Sequence, residues 1–281
     1  MIHVATVHWK TDKWIDLQLA AFERFITEPY LTYAFLNDIS PDCRKRFSYT
    51  SEEPIESHAI KLGVLGDIAC FHAASDDDGL LFIDGDAFPV APLSPLLDKL
   101  REFKLAAAQR YENAGDVHPH PSFCLTTVGF WQEIGGNWHK GPTGGNWDGK
   151  EYEDVGGGLR RILEERNVDW LPLRRLNRVN PHPVLFGVYG DADGPIVYHH
   201  GAGFRAGITL GWKLAAQQEA RATIRGRLLG SLPYRRPFRR LRRRFDPYLR
   251  IQEEMRKTKA RMSAEWFDRL SDDHESWRAL I

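Results

Sequence analysis

Residues 80–90 read LLFIDGDAFPV, an apolar run that turns abruptly into Asp84 and Asp86 with only Gly85 between them. Two carboxylates one residue apart repel unless positive charge lies between them. Hard oxygen donors in that arrangement favour Mg²⁺ or Mn²⁺, ions that bridge protein carboxylates to the phosphates of a substrate. Gly85 lets the backbone of the turn come close to a neighbour. The chemistry indicated is divalent-cation binding at the tip of a buried strand; the bland alternative is a capped, solvated turn.

A second group lies more than a hundred residues later, in VYHHGAGFR. Neutral imidazole suits Mn²⁺-type ions, so His199 or His200 is expected to complete the coordination. Adjacent strand residues face opposite ways, so one of the two does this and the other is structural. Gly201 and Gly203 allow backbone N–H groups to approach a diphosphate, and Arg205 offers a forked donor to it. His58 and Lys61 are three apart and are expected on one polar helix face, in reach of a ribose or phosphate. Thr6, His8, Trp9 and Thr11 sit where the first strand ends, and Asn37 and Asp38 end the second; both sets are placed to grip a base.

Glu153 and Asp154, in EYEDVGGGLRRILEER, are candidates for a general base that takes a proton from an acceptor hydroxyl, or for a sugar contact, with Asp154 preferred. The alternative is a helix cap followed by a glycine hinge. Trp138 and Trp147 fall in GGNWHKGPTGGNWDGKEYEDVGGG, residues 135–158, which reads as a long functional loop, and they are expected to stack on a sugar ring or acceptor.

The elements that must position these residues follow from periodicity. Residues 2–8 and 31–37 read as strands. Ile15, Leu19, Phe22 and Ile26 recur at helical spacing between them. A helix is expected from an N-cap at Ser57, with Ile60, Val64, Ile68 and Phe71 as its buried stripe, and the strand 80–84 follows. That β-α-β-α-β order predicts an α/β fold with a mixed, mostly parallel sheet covered by helices on both faces. In such sheets ligands sit at the carboxyl ends of the strands, where Asp84 and Asp86 fall. Further strands are expected at 104–110, 122–130, 183–190 and 196–205, with a helix over 159–165. Residues 1–210 are expected as one domain. Residues 211–281 are expected as a basic helical extension with an apolar stripe at Ile251, Met255, Met262, Trp266 and Leu270.

The formal net charge is zero, with 38 basic and 38 acidic residues. That balance hides an asymmetry, because residues 234–244, YRRPFRRLRRR, hold seven arginines in eleven. Phe238, Leu241 and Phe245 interleave with them, which suits an anionic membrane surface; nucleic acid is the less favoured partner. Cys43, Cys70 and Cys124 fit no metal spacing and read as apolar fillers in a reducing compartment. The start of the chain has no basic lead of a secretory signal, and no run approaches the roughly 20 apolar residues of a membrane span. The expected location is the cytoplasm, with peripheral contact at the inner membrane face.

Asp84-Gly85-Asp86 after an apolar strand, with the late His199-His200-Gly201, resembles the D-x-D motif and late histidine of nucleotide-sugar-dependent glycosyltransferases of the GT-A fold. EYED…LRRILEER looks like the acidic motif that carries the base in inverting members. The resemblance covers roughly residues 1–205. It implies a GT-A-like, Rossmann-like fold, Mn²⁺ or Mg²⁺ as cofactor, a nucleoside diphosphate sugar (UDP-sugar favoured) as donor, and a glycan or lipid-linked acceptor. HHGAGFR departs from the H-x-x-G-x-x-K-P-W ending of one retaining group, having Arg205 where a lysine would be sought, and leaves the stereochemical outcome open. Rival readings are a haloacid-dehalogenase-like phosphohydrolase, disfavoured by Phe88 two places after Asp86, and a non-catalytic membrane- or nucleic-acid-binding module.

Overall fold

The structure is a computed structural model that describes residues 1–147, 150–201, 219, 220, 222, 223, 228 and 247–281, with the backbone alone at 147 and 150. Gly203, Arg205, the arginine-rich run and the side chain of Trp147 lie outside the described residues, as does the expected boundary at 210/211. Two compact units are formed: residues 1–201 with 274–281, and residues 202–273. In the second unit, one helix over Pro247–Asp272 buries Lys259, Ser263, Trp266 and Leu270. Its expected stripe is kept at Trp266 and Leu270, while Ile251, Met255 and Met262 are only half-buried. Among the described residues, no helix is long and apolar enough to cross a membrane.

The first unit is mixed α/β. Its strands are β1 (Ile2–Trp9), β2 (Tyr30–Asn37), β3 (Tyr49–Ser51), β4 (Gly79–Asp84), β5 (Ala87–Pro89), β6 (Leu105–Ala108) and β7 (His120–Thr127). Then come β8 (Lys140–Trp147), β9 (Lys150–Val155), β10 (Leu171–Arg175), β11 (Gly187–Asp191) and β12 (Gly194–His199). Its helices are α1 (Ile15–Phe25), α2 (His58–His72), α3 (Ser94–Phe103), α4 (Val128–Glu133) and α5 (Gly157–Glu165). One large sheet has the order β3-β2-β1-β4-β7-β6-β10-β11-β12-β5, and β8 and β9 form a separate hairpin. β3, β2, β1 and β4 are parallel, β7 is antiparallel to β4 and β6, and β10 is parallel to β6. The sheet then turns antiparallel through β11 and β12 to β5.

Alternation along the strands feeds two cores, as the pleat requires. Ala5, Val7, Leu80 and Phe82 face one cluster with Leu62, Leu65 and Trp131, while Val4, Leu81 and Ile83 face the other with Phe22 and Leu96. Helix α2 starts at the expected cap, the Ser57 hydroxyl accepting from Ile60 N at 3.4 Å. Its buried face differs from the expected one: Ala59, Lys61, Leu62, Leu65, Gly66 and Ala69 are inside, whereas Ile60 is 51% and Phe71 85% exposed. The reason is close approach to β4, where a Cβ on Gly66 would lie 3.0 Å from the Phe82 ring. Small residues allow that approach; of the expected stripe, Val64 and Ile68 pack half-buried against the core, and Ile60 and Phe71 are left on the outer side.

Residues 135–158 are not a long loop. The β8–β9 hairpin occupies most of them and is tied down by Asn146 N to Ala114 O (3.0 Å) and Val117 N to Thr143 O (3.0 Å). The Tyr152 hydroxyl donates to Asn113 O (2.8 Å) and to Asp116. The glycines serve close packing: a Cβ on Gly157 would meet Gly141 O at 2.0 Å, and one on Gly156 (φ +96°) would meet Pro119 O at 2.1 Å. Trp138 is accordingly no exposed stacking surface. It is 1% exposed and packs against Phe82 and Trp131, with ring centroids 5.1 and 5.6 Å away.

At the end of the sheet where β1 begins, Asp78 accepts from the Met1 ammonium (3.0 Å) and from Ala74 N (3.0 Å), and lies 3.5 Å from buried His3. Burial pushes the Asp78 carboxyl up, but these donors outweigh it and hold it below its ordinary value. A folded carboxyl that ionises at lower pH than the unfolded one stabilises fully above the unfolded value of about 4 and loses that stabilisation as pH falls through the folded value. Asp78→Asn is expected to cost roughly 1–3 kcal/mol at pH 7 and to flatten the acid limb of a Tm-against-pH curve. An unchanged acid limb would contradict the assignment.

Candidate metal and nucleotide site

The turn after β4 is fixed from below by a residue that periodicity did not single out. Gln18, buried on α1, donates its amide nitrogen to Asp84 O (2.8 Å) and Ala87 O (2.7 Å). Its amide oxygen must then face Thr6 Oγ1 (3.1 Å) and His8 Nε2 (3.1 Å), both of which donate to it. His8 is thereby set as the Nε2–H tautomer, and its burial pushes the ring down to about 4, against the opposing Gln18 hydrogen bond. Gly85 completes the seat: a Cβ there would lie 2.5 Å from Val7 O and 2.8 Å from His8 Nδ1. Thr6 and His8, expected to grip a base, are fully buried supports of this turn instead.

Above that seat, Asp84, Asp86 and His199 present one ligand atom each, all within 4.8 Å of one another. The topology explains the convergence. β5 runs directly out of the turn and pairs with β12 at Ala87↔His199, while His200 N donates to Asp86 O at 3.0 Å. His199 Nε2 lies 3.4 Å from Asp84 Oδ2 and 3.5 Å from Asp86 Oδ1. Ligands at about 2.1 Å from an octahedral ion sit roughly 3 Å apart, so small side-chain shifts would seat a cation. Asp84 Oδ1 is buried without a hydrogen bond of normal geometry, although His58 Nε2 stands 3.1 Å away. Two carboxylate oxygens and one imidazole nitrogen converging in a largely buried seat fit a divalent cation.

The charges agree with the geometry. Burial raises the Asp84 carboxyl, yet His199 and His58 more than reverse this and hold it well below its ordinary value. Burial lowers His199, but Asp84 and Asp86 raise it to about 9. In the metal-free protein a proton on His199 therefore supplies the positive charge that the carboxylates require. His200 points away, its ring 4.4 Å from Trp14 and 4.9 Å from Phe186, with Nδ1 3.0 Å from the Tyr198 hydroxyl. Burial keeps it well below the usual histidine range. The histidine pair divides as strand alternation requires, and His199 is the one with the aspartates.

A cleft of about 680 Å³ opens at the ends of β1 and β2, lined by Trp9, Asn37, Asp38, Glu52, Glu56 and Lys61 among others. Trp9 is 40% exposed, with Lys10 Nζ 4.3 Å from its ring centre. Asn37 donates its amide nitrogen to Glu52 O (3.2 Å) and Glu53 O (3.0 Å), so its unpartnered Oδ1 is fixed as an acceptor. Lys61 lines the cleft although it is 4% exposed, rather than lying on a solvated helix face. His58 is one helical turn before it, so α2 links the cleft to Asp84. Gly201 (φ +78°) follows His200 and takes a backbone conformation suited to glycine.

Asp154 is half-buried, with Oδ2 3.6 Å from Arg110 and Oδ1 accepting from Val155 N at 2.8 Å; Glu153 is exposed. Between Asp154 and the aspartates lie residues not foreseen from the sequence. The ring of His118 is 5.9 Å from that of His120, which is 6.2 Å from that of His199. His120 Nδ1 accepts from Ser122 N (3.0 Å), leaving its proton on Nε2. A usable signal was present in the alternating HPHPS of residues 118–122, whose spacing would put both histidines on one face of an extended segment.

No family model matches the chain, and no curated protein matches it. Among solved structures, the apo-form glycosyltransferase GlyE of Streptococcus pneumoniae TIGR4 aligns at 17% identity and TM-score 0.35, over 47% of this chain and 36% of that one. A second GlyE structure gives 15% and 0.36 over 59% and 40%. S. aureus TarS gives 12% and 0.33 over 47% and 29%. The chain thus spans well under half the length of these proteins. Likenesses this slight decide neither family nor activity, so only the residues of the site can carry a function.

Cation binding must displace the His199 proton, so apparent Mn²⁺ affinity should rise with pH by up to about tenfold per unit below the His199 value of about 9. Calorimetry between pH 6 and 8, in buffers of different ionisation enthalpy, should register close to one proton released per Mn²⁺. A pH-independent affinity would contradict this.

Proposed function

We propose that the protein is a metal-dependent glycosyltransferase that moves a sugar from a nucleoside diphosphate sugar, a UDP-sugar in our reading, to a hydroxyl of a glycan or lipid-linked acceptor. The observation that carries this reading is the convergence of Asp84, Asp86 and His199 next to a cleft that holds Trp9, Asn37 and Lys61. A carboxylate-rich cation site beside a slot sized for a nucleoside is what binding a nucleoside diphosphate requires. Bound Mn²⁺ or Mg²⁺ would neutralise the charge that develops on the departing diphosphate.

Each group of the chain then has a task. Asp84, Asp86 and His199 hold the cation, and Gln18 and Gly85 hold the turn that carries two of them. Trp9 offers a ring face for a base. Asn37 Oδ1 accepts from a base N–H, which uracil offers at its imide and cytosine lacks at the same ring position. Lys61 adds fixed positive charge on the path from base to diphosphate, and Gly201, Gly203 and Arg205 are assigned to binding the diphosphate. Asp154 accepts the acceptor proton if transfer inverts and contacts the donor sugar if it retains, with Arg110 holding it in place and Glu153 as its neighbour. The arginine-rich residues 234–244 dock on an anionic membrane surface at the cytoplasmic face, where a lipid-linked acceptor would be met.

Calorimetry with UDP, with and without Mn²⁺, tests the centre of this reading. UDP should bind with Mn²⁺ and lose at least tenfold in affinity without it. Asp86→Asn should abolish the metal-dependent part, and Asn37→Ala should weaken UDP more than it weakens CDP. No metal-dependent binding of any nucleoside diphosphate would remove the glycosyltransferase reading. Membrane docking is tested separately by flotation with phosphatidylserine vesicles. Binding should fall steeply from 50 to 500 mM salt and be lost when Arg235, Arg236, Arg239 and Arg240 are changed to Glu; salt-insensitive binding would contradict a charge-driven surface.

A further inference from the structure

His58 is not one of the three residues whose ligand atoms converge, yet its Nε2 lies 3.1 Å from the oxygen of Asp84 that does not face His199. Asp84 is therefore held from two sides, with Oδ2 toward His199 and Oδ1 toward His58. A metal-binding carboxylate with one oxygen committed to an outer partner has fewer rotamers to lose when it takes up the ion, and outer partners of this kind govern affinity. Two further features favour this role. His58 is the first residue of a long helix whose N-cap, Ser57, is in place, so its backbone is fixed. The next turn of the same helix carries Lys61 into the nucleotide cleft.

We infer that His58 is a positioning residue for the cation site: it anchors Asp84 Oδ1 so that Oδ2 is presented to the ion, and it couples the start of α2 to metal binding. This rests on the cation-dependent nucleotide binding proposed above. It makes the site a four-residue device, of which three residues bind the metal and His58 sets the orientation of one of them. Gln is the conservative replacement, because its side-chain nitrogen can reach about where the histidine Nε2 stands.

The test is Mn²⁺ affinity of the full-length protein at saturating UDP, read by electron paramagnetic resonance of free Mn²⁺ alongside Tm. His58→Ala should weaken Mn²⁺ about ten- to a hundredfold, and His58→Gln should stay within about threefold of wild type. Ser57→Ala removes the cap of the same helix; it should lower Tm while leaving Mn²⁺ affinity in place. Unchanged affinity in His58→Ala would overturn the inference. So would an equal loss in Ser57→Ala, which would reduce His58 to a part of helix stability. Wild-type protein that takes up no Mn²⁺ with UDP would instead remove the parent reading, and the role of His58 with it.

Discussion

Two carboxylates held one residue apart in a largely buried turn repel each other strongly, and the arrangement persists only if positive charge stands between or beside them. Much of the first unit is organised around meeting that demand. The strand that leaves the turn, β5, lies against β12, so the same backbone pairing that closes the sheet delivers His199 to the aspartates. Helix α2 delivers His58 from the other side. With no cation bound, a proton on His199 balances the pair. A cation that replaces the proton finds donors already converged, and most of the ordering cost has been met by the fold.

The second requirement is that the turn itself does not move. Its carbonyls at Asp84 and Ala87 point into the protein, where water cannot reach them, and unmatched they would each cost about 1–3 kcal/mol. Gln18 matches both with one amide group, whose oxygen then accepts from Thr6 and His8. The chain of dependence runs from β1 through α1 to the turn. Gly85 belongs to it as well, because Val7 O and His8 Nδ1 occupy the space a side chain would need.

Legibility in the sequence followed what each signal depends on. The convergence of Asp84, Asp86 and one histidine, with His199 and His200 facing opposite ways, was readable because it rests on local spacing and the two-residue strand period. The mixed α/β architecture was readable for the same reason over its first half, where strands and helices alternate. The face of α2 is not legible from bulk alone, because close helix–sheet approach puts Ala59, Gly66 and Ala69 inside beside Leu62 and Leu65 and leaves Ile60 and Phe71 out. Thr6 and His8 were misplaced because their partner, Gln18, reveals itself only when α1 packs beneath the turn. Glycines and tryptophans suggested a loop over 135–158. There the glycines relieve contacts between backbones, and Trp138 fills the core beside Phe82, neither of which is a property of composition.

Two buried histidines stand between the aspartates and Asp154. These carboxylates come from segments about seventy positions apart, and β7 lies antiparallel beside β4, the strand that carries the first of them. His118 precedes β7 and His120 begins it, and their rings step from His199 toward the Arg110–Asp154 pair. Burial keeps the His120 ring well below the usual histidine range, with Arg110 adding to the effect. A neutral imidazole with its proton fixed on Nε2 donates without adding charge. Placed next to a site already balanced between two carboxylates and one cation, that is the kind of donor which leaves the balance intact. A second fixed positive charge there would draw on the same carboxylates as His199, and the burial that neutralises His120 avoids it.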